Sequence, residues 1–182
     1  MQTNCCIVGG GPAGIMLGLL LARAGVETLV LEKHADFFRD FRGDTIHPST
    51  LEIMNELGFL EEFLQRPHQV ATKLCGYVEN QRVTIADFSK LKVTCPYVVF
   101  MPQWDFLNFL ANEAKKYPNF NLQMQTEATN VIVANGVVVG VQANTPSGII
   151  EIHSNLVIGA DGRHSTIRDR ARLQVEDIAA PM

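Results

Sequence analysis

Apolar and polar positions divide the first part of the chain into a strand, a helix and a second strand. A short apolar run at 5–8 predicts a buried strand, and a second run at 27–31 predicts another. The segment 12–24 opens with a proline and is followed by Gly25, which is typical of a helix start and stop. The short connections imply parallel pairing of the two strands and a right-handed crossover.

Helical spacing recurs at three places further along the chain. It predicts a helix over 48–57, a further helical turn at 59–64 and a long helix over 102–117, which Pro118 stops. A basic stretch at 165–173 predicts a last helix, for which Ser165 is the expected N-cap.

The remaining apolar runs predict strands. Two strands with a turn at 79–81 and an extended run at 94–100 are expected, followed by a strand at 121–126. Runs at 131–134, 137–143 and 149–152 predict an antiparallel three-stranded meander, because Asn135-Gly136 is a strong hairpin signal. A separate buried strand is expected to enter the glycine turn at 156–162. The pattern as a whole is that of an α/β fold.

Composition restricts the class of protein without changing this fold. Hydrophobic residues make up 47% and charged residues 19%, as in globular domains, and the formal net charge of −4 gives no general attraction to nucleic acid. The four cysteines lack a C-x-x-C spacing, which predicts reduced thiols in a cytoplasmic protein, with Cys5 and Cys6 in the core. The apolar run at 15–22 is shorter than the roughly 20 residues that span a bilayer, so no integral membrane segment is expected.

A glycine-rich loop lies between the first strand and the helix. Gly9-x-Gly11-x-x-Gly14 is followed, at the end of the second strand, by Glu32, which matches the spacing of a dinucleotide-binding fingerprint. Gly9 would permit the tight turn, Gly11 would let a pyrophosphate approach the backbone, and Gly14 would let helix and strand pack closely. Glu32 would accept hydrogen bonds from the adenosine ribose and disfavour a 2′-phosphate. The structural alternative is a glycine-rich turn that binds nothing.

Four segments of the chain resemble the FAD-dependent aromatic hydroxylases, the para-hydroxybenzoate hydroxylase class of group A flavoprotein monooxygenases. They are the fingerprint "VGGGPAGIMLGLLLARAGVETLVLEK", then "RGDTIHPSTLEIMNELG", "MPQWDFLNFLANEA" and "LVIGADGRHSTIR", in that order. The resemblance implies a Rossmann-like FAD-binding βαβ domain with a parallel sheet, the antiparallel meander, and the start of a substrate-domain sheet. It implies FAD as cofactor and NADPH or NADH as transient reductant.

The resemblance also implies which residues contact the cofactor. Arg42 would pair with the pyrophosphate, Gln103 would contact the ribityl chain, and Asp161 would bond ribose or ribityl hydroxyls, while Arg163 and Arg168 belong to a motif tied to the nicotinamide cofactor. The full cofactor-binding set is Gly9, Gly11, Pro12, Ala13, Gly14, Glu32, Lys33, Arg42, Gln103, Ala128, Asp161 and Gly162. No catalytic residue and no metal ligand is nominated.

Each of the later residues has a structural alternative. Arg42 could be an exposed loop arginine, Gln103 a surface residue that starts a helix, and Asp161 an N-cap. Arg163 and Arg168 could equally be surface arginines.

The chain departs from the resemblance in length. It has 182 residues and lacks the second Gly-Asp motif, of the form "GDAAH", that the class carries. We therefore expect residues 1–182 to be a single FAD-binding domain fragment, with about 70–100 in an incomplete substrate-binding subdomain. Apolar surface that would otherwise be covered predicts a possible homodimer.

Three functional hypotheses remain open at this point. The first is the FAD-binding portion of a monooxygenase that uses NAD(P)H and O2 to hydroxylate an aromatic or polyketide-like small molecule, the chain alone being inactive. The second is an FAD-dependent reductase or dehydrogenase of the geranylgeranyl-reductase type. The third is a non-catalytic dinucleotide-binding module.

Overall fold

The computed structural model describes residues 1–38 and 44–176, which form two compact units. The first unit comprises Met1–Phe37 and Leu110–Met182, and the second comprises Phe38–Phe109. The prediction that about 70–100 belongs to a substrate-binding subdomain stays a prediction, and these residues lie within the second unit.

The helices and most strands follow the predicted order with several shifted ends, whereas the short strands Thr45–Ile46 and Gln69–Ala71 were not predicted. The helices are α1 Pro12–Arg23, α2 Pro48–Glu56, α3 Leu60–Leu64, α4 Gln103–Ala114 and α5 Thr166–Arg170, with a 3-10 turn at Phe88–Lys90. The strands are β1 Gln2–Val8, β2 Thr28–Leu31, β3 Thr45–Ile46, β4 Gln69–Ala71, β5 Lys73–Val78, β6 Gln81–Asp87, β7 Val98–Phe100, β8 Phe120–Gln123, β9 Glu127–Ala134, β10 Val137–Thr145 and β11 Gly148–Gly159.

A six-stranded sheet with the order β8-β2-β1-β11-β10-β9 forms the first unit. Strands β8, β2, β1 and β11 are parallel neighbours, whereas β11, β10 and β9 pair antiparallel. The predicted parallel pairing of the first two strands is thus confirmed, as are the meander and the α/β fold class.

The prediction of two separate strands at 149–152 and 156–159 is wrong. Both segments belong to β11, a single strand of 12 residues. Its first half pairs antiparallel with β10, and from His153 onwards it pairs parallel with β1. The polar residues between the two apolar runs do not interrupt the strand, because the backbone hydrogen bonds pass from one partner strand to the other there.

Both predicted hairpin turns are present. Asn135 and Gly136 have φ values of 53° and 79°, and they connect β9 to β10 as a two-residue loop. Glu79 and Asn80 connect β5 to β6 in the same way, with φ values of 48° and 62°. Positive φ at both central residues gives the backbone twist that matches paired strands.

Hydrophobic packing covers the two faces of the six-stranded sheet differently. Cys6 and Val8 point to the face where the meander and Ile167 of α5 complete a buried cluster. On the opposite face, α1 packs so closely that a Cβ at Gly18 would lie 2.8 Å from both Phe120 and Val30 side chains. The predicted core positions of Cys5 and Cys6 are confirmed, with 3% and 0% of their surface exposed, and burial raises the pKa of the Cys6 thiol to about 12.

The second unit contains an aromatic cluster and two small sheets. Phe63 packs edge-on against Phe106 and tilted against Phe109, with ring centroids 5.9 and 5.3 Å apart. Strands β3, β7 and β4 form one antiparallel sheet in that order, and β5 and β6 form a two-stranded sheet. Of the predicted extended run at 94–100, only Val98–Phe100 is a strand.

Across the parts of the chain that the structure describes, every helix falls short of the length and apolarity that crossing a membrane requires.

Gly140 in β10 provides a test of the packing between β10 and β11. A Cβ at this position would overlap the carbonyl oxygen of Ile152 on the neighbouring strand. We predict that Gly140→Ala lowers the free energy of unfolding by about 1–3 kcal/mol, because a backbone neighbour cannot move aside as a side chain can. Urea denaturation followed by circular dichroism measures the change.

Gly76→Ala is the matched control for this substitution. A Cβ at Gly76 would lie 3.0 Å from the Cδ1 atom of Ile85, the mobile end of a side chain that is 66% exposed. Its unfolding midpoint should stay close to that of the unmodified chain. Equal stability of the Gly140 and Gly76 variants would contradict the packing described for β10.

Candidate functional site

The carboxyl ends of three neighbouring parallel strands meet at one edge of the sheet in the first unit. Gly9 follows β1, Glu32 follows β2, and Asp161 lies just after β11. Two backbone hydrogen bonds join these ends: Gly9 N–H donates to the Leu31 carbonyl at 2.8 Å, and Ala160 N–H donates to the Val8 carbonyl at 2.7 Å. Ligands of open α/β sheets bind at such an edge.

Gly9 and Gly14 are required by the close approach of the backbone. Gly9 has a φ of 111°, and a Cβ there would overlap the carbonyl of Ala160. A Cβ at Gly14 would overlap the carbonyl oxygen of Gly9. The geometry therefore agrees with the tight turn predicted at Gly9 and the close helix packing predicted at Gly14.

Gly11 differs from both, because its surroundings are open. It is the N-cap of α1, and among the described residues no atom outside its neighbours would lie within 4 Å of a Cβ placed on it. Within the described residues no side chain caps this helix end. Pro12 and Ala13 open its first turn, and Ile15 N–H donates to the Gly11 carbonyl at 3.0 Å. Backbone N–H groups at an uncapped helix start bind anions such as phosphate.

Glu32 is held at the edge by backbone donors. Only 5% of its surface is exposed, and its Oε2 accepts a hydrogen bond from Gly10 N–H at 3.0 Å. Its Oε1 accepts one from His34 N–H at 2.9 Å. These bonds fix the position of the carboxylate at the sheet edge.

Asp161 combines a position at the strand edge with a capping role. Ser165 Oγ donates to its Oδ1 at 2.5 Å, and Ile167 N–H donates to its Oδ2 at 3.2 Å. Ser165 Oγ in turn accepts from Arg168 N–H at 3.0 Å, so the predicted N-cap of α5 is confirmed. The N-cap of α5 is thus Ser165 and not Asp161, and a ligand of Asp161 would have to use the remaining lone pairs of its carboxylate.

The structure brings together most, but not all, of the predicted cofactor residues. Gly9, Gly11, Pro12, Ala13, Gly14, Glu32, Lys33, Asp161 and Gly162 all lie around the three strand ends in the first unit. Ala128 is 7% exposed and packs in the core cluster, so its side chain contributes to the sheet interior. Gln103 begins α4 in the second unit, and Arg42 lies outside the described residues.

Sequence reasoning missed the contribution of Gly10. Its N–H binds Glu32, and a Cβ on it would lie 2.7 Å from the Cβ of Glu32. The signal was present in the three consecutive glycines, of which the fingerprint explains only the first and third. Within the described residues, no group of three or more histidine, cysteine, aspartate or glutamate side chains could hold a metal ion.

The family model described as "FAD binding domain" matches residues 2–180 of the chain. Among curated relatives, 6-methylpretetramide 4-monooxygenase of Streptomyces rimosus is 28% identical over 97% of this chain and 42% of its own length. An uncharacterized aromatic compound monooxygenase of Bacillus subtilis is 31% identical over 96% of this chain and 34% of its own length. The chain thus spans less than half the length of these relatives.

Solved structures show the same fold. The anhydrotetracycline hydroxylase of Streptomyces rimosus is 30% identical and superposes with a TM-score of 0.78, covering 93% of this chain and 33% of that one. The p-nitrophenol 4-monooxygenase of Pseudomonas putida, at 24% identity, superposes with a TM-score of 0.81 over 93% of this chain and 43% of that one.

The family match over nearly the whole chain agrees with the uncapped glycine loop, the buried Glu32 and the Asp161-Gly162 turn at neighbouring strand ends. The chain belongs to the FAD binding domain family, and its relatives are flavoprotein monooxygenases, the group that its sequence resembles.

Proposed function

We propose that this chain is the FAD-binding portion of a monooxygenase that uses NADPH or NADH and O2 to hydroxylate an aromatic or polyketide-like small molecule. The proposal is carried by the space over Gly11, which is open as far as the described residues go and lies at the start of α1 near the buried Glu32. The names of the relatives support the reaction, since they include monooxygenases of a pretetramide and of aromatic compounds.

The residues of the first unit fit the adenosine diphosphate half of FAD. Backbone N–H groups of the first turn of α1 would meet the pyrophosphate, and the absence of a Cβ at Gly11 leaves the space that a phosphate needs. Glu32 would accept hydrogen bonds from the ribose hydroxyls of the adenosine. Its negative charge would disfavour a ribose that carries a 2′-phosphate.

The flavin ring supplies the redox and oxygen chemistry, and the protein binds, orients and shields it. Gln103 and Arg42 are proposed to contact the ribityl chain and the pyrophosphate, and Asp161 to bond a ribose or ribityl hydroxyl. Arg163 and Arg168 are proposed contacts for the reductant. Arg168 Nη2 donates to the Arg163 carbonyl at 2.8 Å, which keeps the exposed Arg163 and the half-buried Arg168 together. A cytoplasmic location and a homodimer belong to the same proposal.

Substitution at Gly11 separates cofactor binding from folding. Because a Cβ at Gly11 meets no atom of the described residues within 4 Å, Gly11→Ala should leave the melting temperature unchanged. The same methyl group would occupy the space proposed for the pyrophosphate. We predict that FAD affinity falls by at least about tenfold, equivalent to about 1.4 kcal/mol. Quenching of FAD fluorescence on titration with the purified chain measures the affinity.

Gly76→Ala serves as the control for the added methyl group, because Gly76 lies in a hairpin of the second unit. It should bind FAD as the unmodified chain does. Unchanged FAD affinity in Gly11→Ala would contradict the assignment of the loop. A chain that takes up no FAD at all would favour the non-catalytic hypothesis.

The monooxygenase reaction is tested by measuring how many oxygen atoms of O2 enter the product. In such a reaction NADPH or NADH is oxidised, one atom of O2 enters the substrate as a hydroxyl group and the other leaves as water. With the FAD-loaded protein that carries this chain, an aromatic compound and isotope-labelled O2, we predict one labelled oxygen atom in the product by mass spectrometry. Oxidation of the reductant without labelled product would instead indicate a reductase or dehydrogenase.

A further inference from the structure

His34 lies beside the buried carboxylate of Glu32, which is proposed to bind the adenosine ribose. Its Nε2 is 4.0 Å from Oε1 of Glu32, and its backbone N–H donates to the same oxygen at 2.9 Å. The two side chains differ in burial, because 47% of the His34 side chain is exposed but only 6% of the Glu32 side chain. A titratable group that solvent can reach is thus placed next to the buried carboxylate.

Backbone hydrogen bonds hold His34 in this place. The His34 carbonyl accepts a bond from Gln125 N–H at 2.9 Å, and the Glu32 carbonyl accepts one from Thr126 N–H at 2.9 Å. Glu32 N–H in turn donates to the Gln123 carbonyl at 2.8 Å. The turn is therefore tied to the end of β8, and the imidazole projects from a backbone that is fixed relative to Glu32.

The distance of 4.0 Å between Nε2 and Oε1 determines how His34 acts on Glu32. It is too long for a hydrogen bond, so a neutral imidazole leaves the charge of the carboxylate as it is. It is within the range of an ion pair, so a protonated imidazole offsets that charge. Histidine ordinarily changes its charge between pH 5 and 8, so both states are reached close to neutral pH.

Other charged groups adjoin this pair. The turn that carries His34 also carries Lys33 and Asp36, both of which are exposed. The glycine loop and the segment that follows β8, which bond to this turn, contain no titratable side chain. Asp161 belongs to the neighbouring strand end and is bound to the start of α5, and residues 39–43 lie outside the described residues. These groups are the same in every variant compared below, so differences between variants report the charge at position 34.

We propose that His34 determines, through its own charge, how strongly the site prefers an unphosphorylated ribose. The inference rests on the proposed function, because it concerns the ribose that Glu32 is proposed to bind. When His34 is neutral, the Glu32 carboxylate repels a 2′-phosphate. When His34 is protonated, the pair has no net charge and the exposed cation attracts the phosphate. The preference therefore declines as the pH falls below neutral, and adenosine nucleotides that carry a 2′-phosphate are then admitted.

The experiment compares ADP with its 2′-phosphorylated derivative at about pH 8 and about pH 5.5, on either side of the range in which histidine titrates. Calorimetry measures both dissociation constants, and the readout is the constant of the phosphorylated nucleotide divided by that of ADP, which we call the preference ratio. Effects of pH on the shared pyrophosphate cancel in this ratio. The 2′-phosphate itself loses negative charge near pH 6, so the unmodified chain is compared with His34→Gln, whose side chain does not titrate.

Between the two pH values, the preference ratio of the unmodified chain should fall about 2- to 5-fold further than that of His34→Gln, the effect of one partly exposed charge pair. At the higher pH the two chains should agree, because histidine is ordinarily neutral there. His34→Lys carries a permanent cation. Already at about pH 8, its preference ratio should be lower than that of the unmodified chain by a similar factor.

His153→Gln is the matched control. His153 Nε2 lies 3.9 Å from Glu151 Oε2 and its side chain is 53% exposed, so it forms the same kind of pair within β11. The preference ratio of this variant should match that of the unmodified chain at both pH values. Circular dichroism verifies the fold of each variant, and the comparison of His34→Lys with the unmodified chain tests the proposal even if His34→Gln does not fold.

Three results would overturn the proposal. The ratio could fall with pH as much in His34→Gln as in the unmodified chain, His34→Lys could keep the ratio of the unmodified chain at about pH 8, or His153→Gln could remove the pH dependence as His34→Gln does. Any of these, with ADP still competing with FAD, overturns this inference alone. A chain that binds neither FAD nor ADP overturns the proposed function and this inference with it.

Discussion

The close packing of α1 against the end of β1 is the constraint on which the candidate site depends. At Gly14 the helix approaches the Gly9 carbonyl so closely that no side chain fits between them. This contact fixes the start of the helix over the strand end, and the open space at Gly11 lies there as a consequence. A larger residue at Gly14 would move the helix start away from the sheet edge and so disrupt the proposed anion site.

The two carboxylates at this edge of the sheet, Glu32 and Asp161, are each held by hydrogen bonds. Glu32 is buried with its carboxylate bound to two backbone N–H groups, one from the glycine loop and one from its own strand end. Asp161 is similarly bound by Ser165 and Ile167. These donors, three backbone N–H groups and the Ser165 hydroxyl, compensate the cost of burying Glu32 and of half-burying Asp161. Both carboxylates are therefore oriented before any ligand arrives.

Much of this edge could be predicted because its signals are local in sequence. The glycine spacing, the acidic residue about 20 positions on and the Asn-Gly turn each require only a short segment. The continuity of β11 could not be predicted, since it depends on a change of partner strand at His153. The capping bonds of Asp161 depend on how α5 folds back, which its sequence neighbours alone do not specify.

The small sheet β3-β7-β4 of the second unit could not be predicted from the sequence pattern. Thr45, Gln69 and Phe100 come from three distant segments that antiparallel pairing brings into one row. Two of those segments form strands of only two and three residues, too short for an alternating pattern to be recognised.

The central claim is that the glycine loop and Glu32 hold the adenosine diphosphate half of FAD. Calorimetric titration of the chain with ADP and with its 2′-phosphorylated derivative tests it most directly. We predict that ADP binds and competes with FAD, and that the 2′-phosphate weakens binding by about tenfold or more, because it would bring negative charge against Glu32. Equal affinity for the two nucleotides, or displacement of FAD by FMN but not by ADP, would contradict the claim.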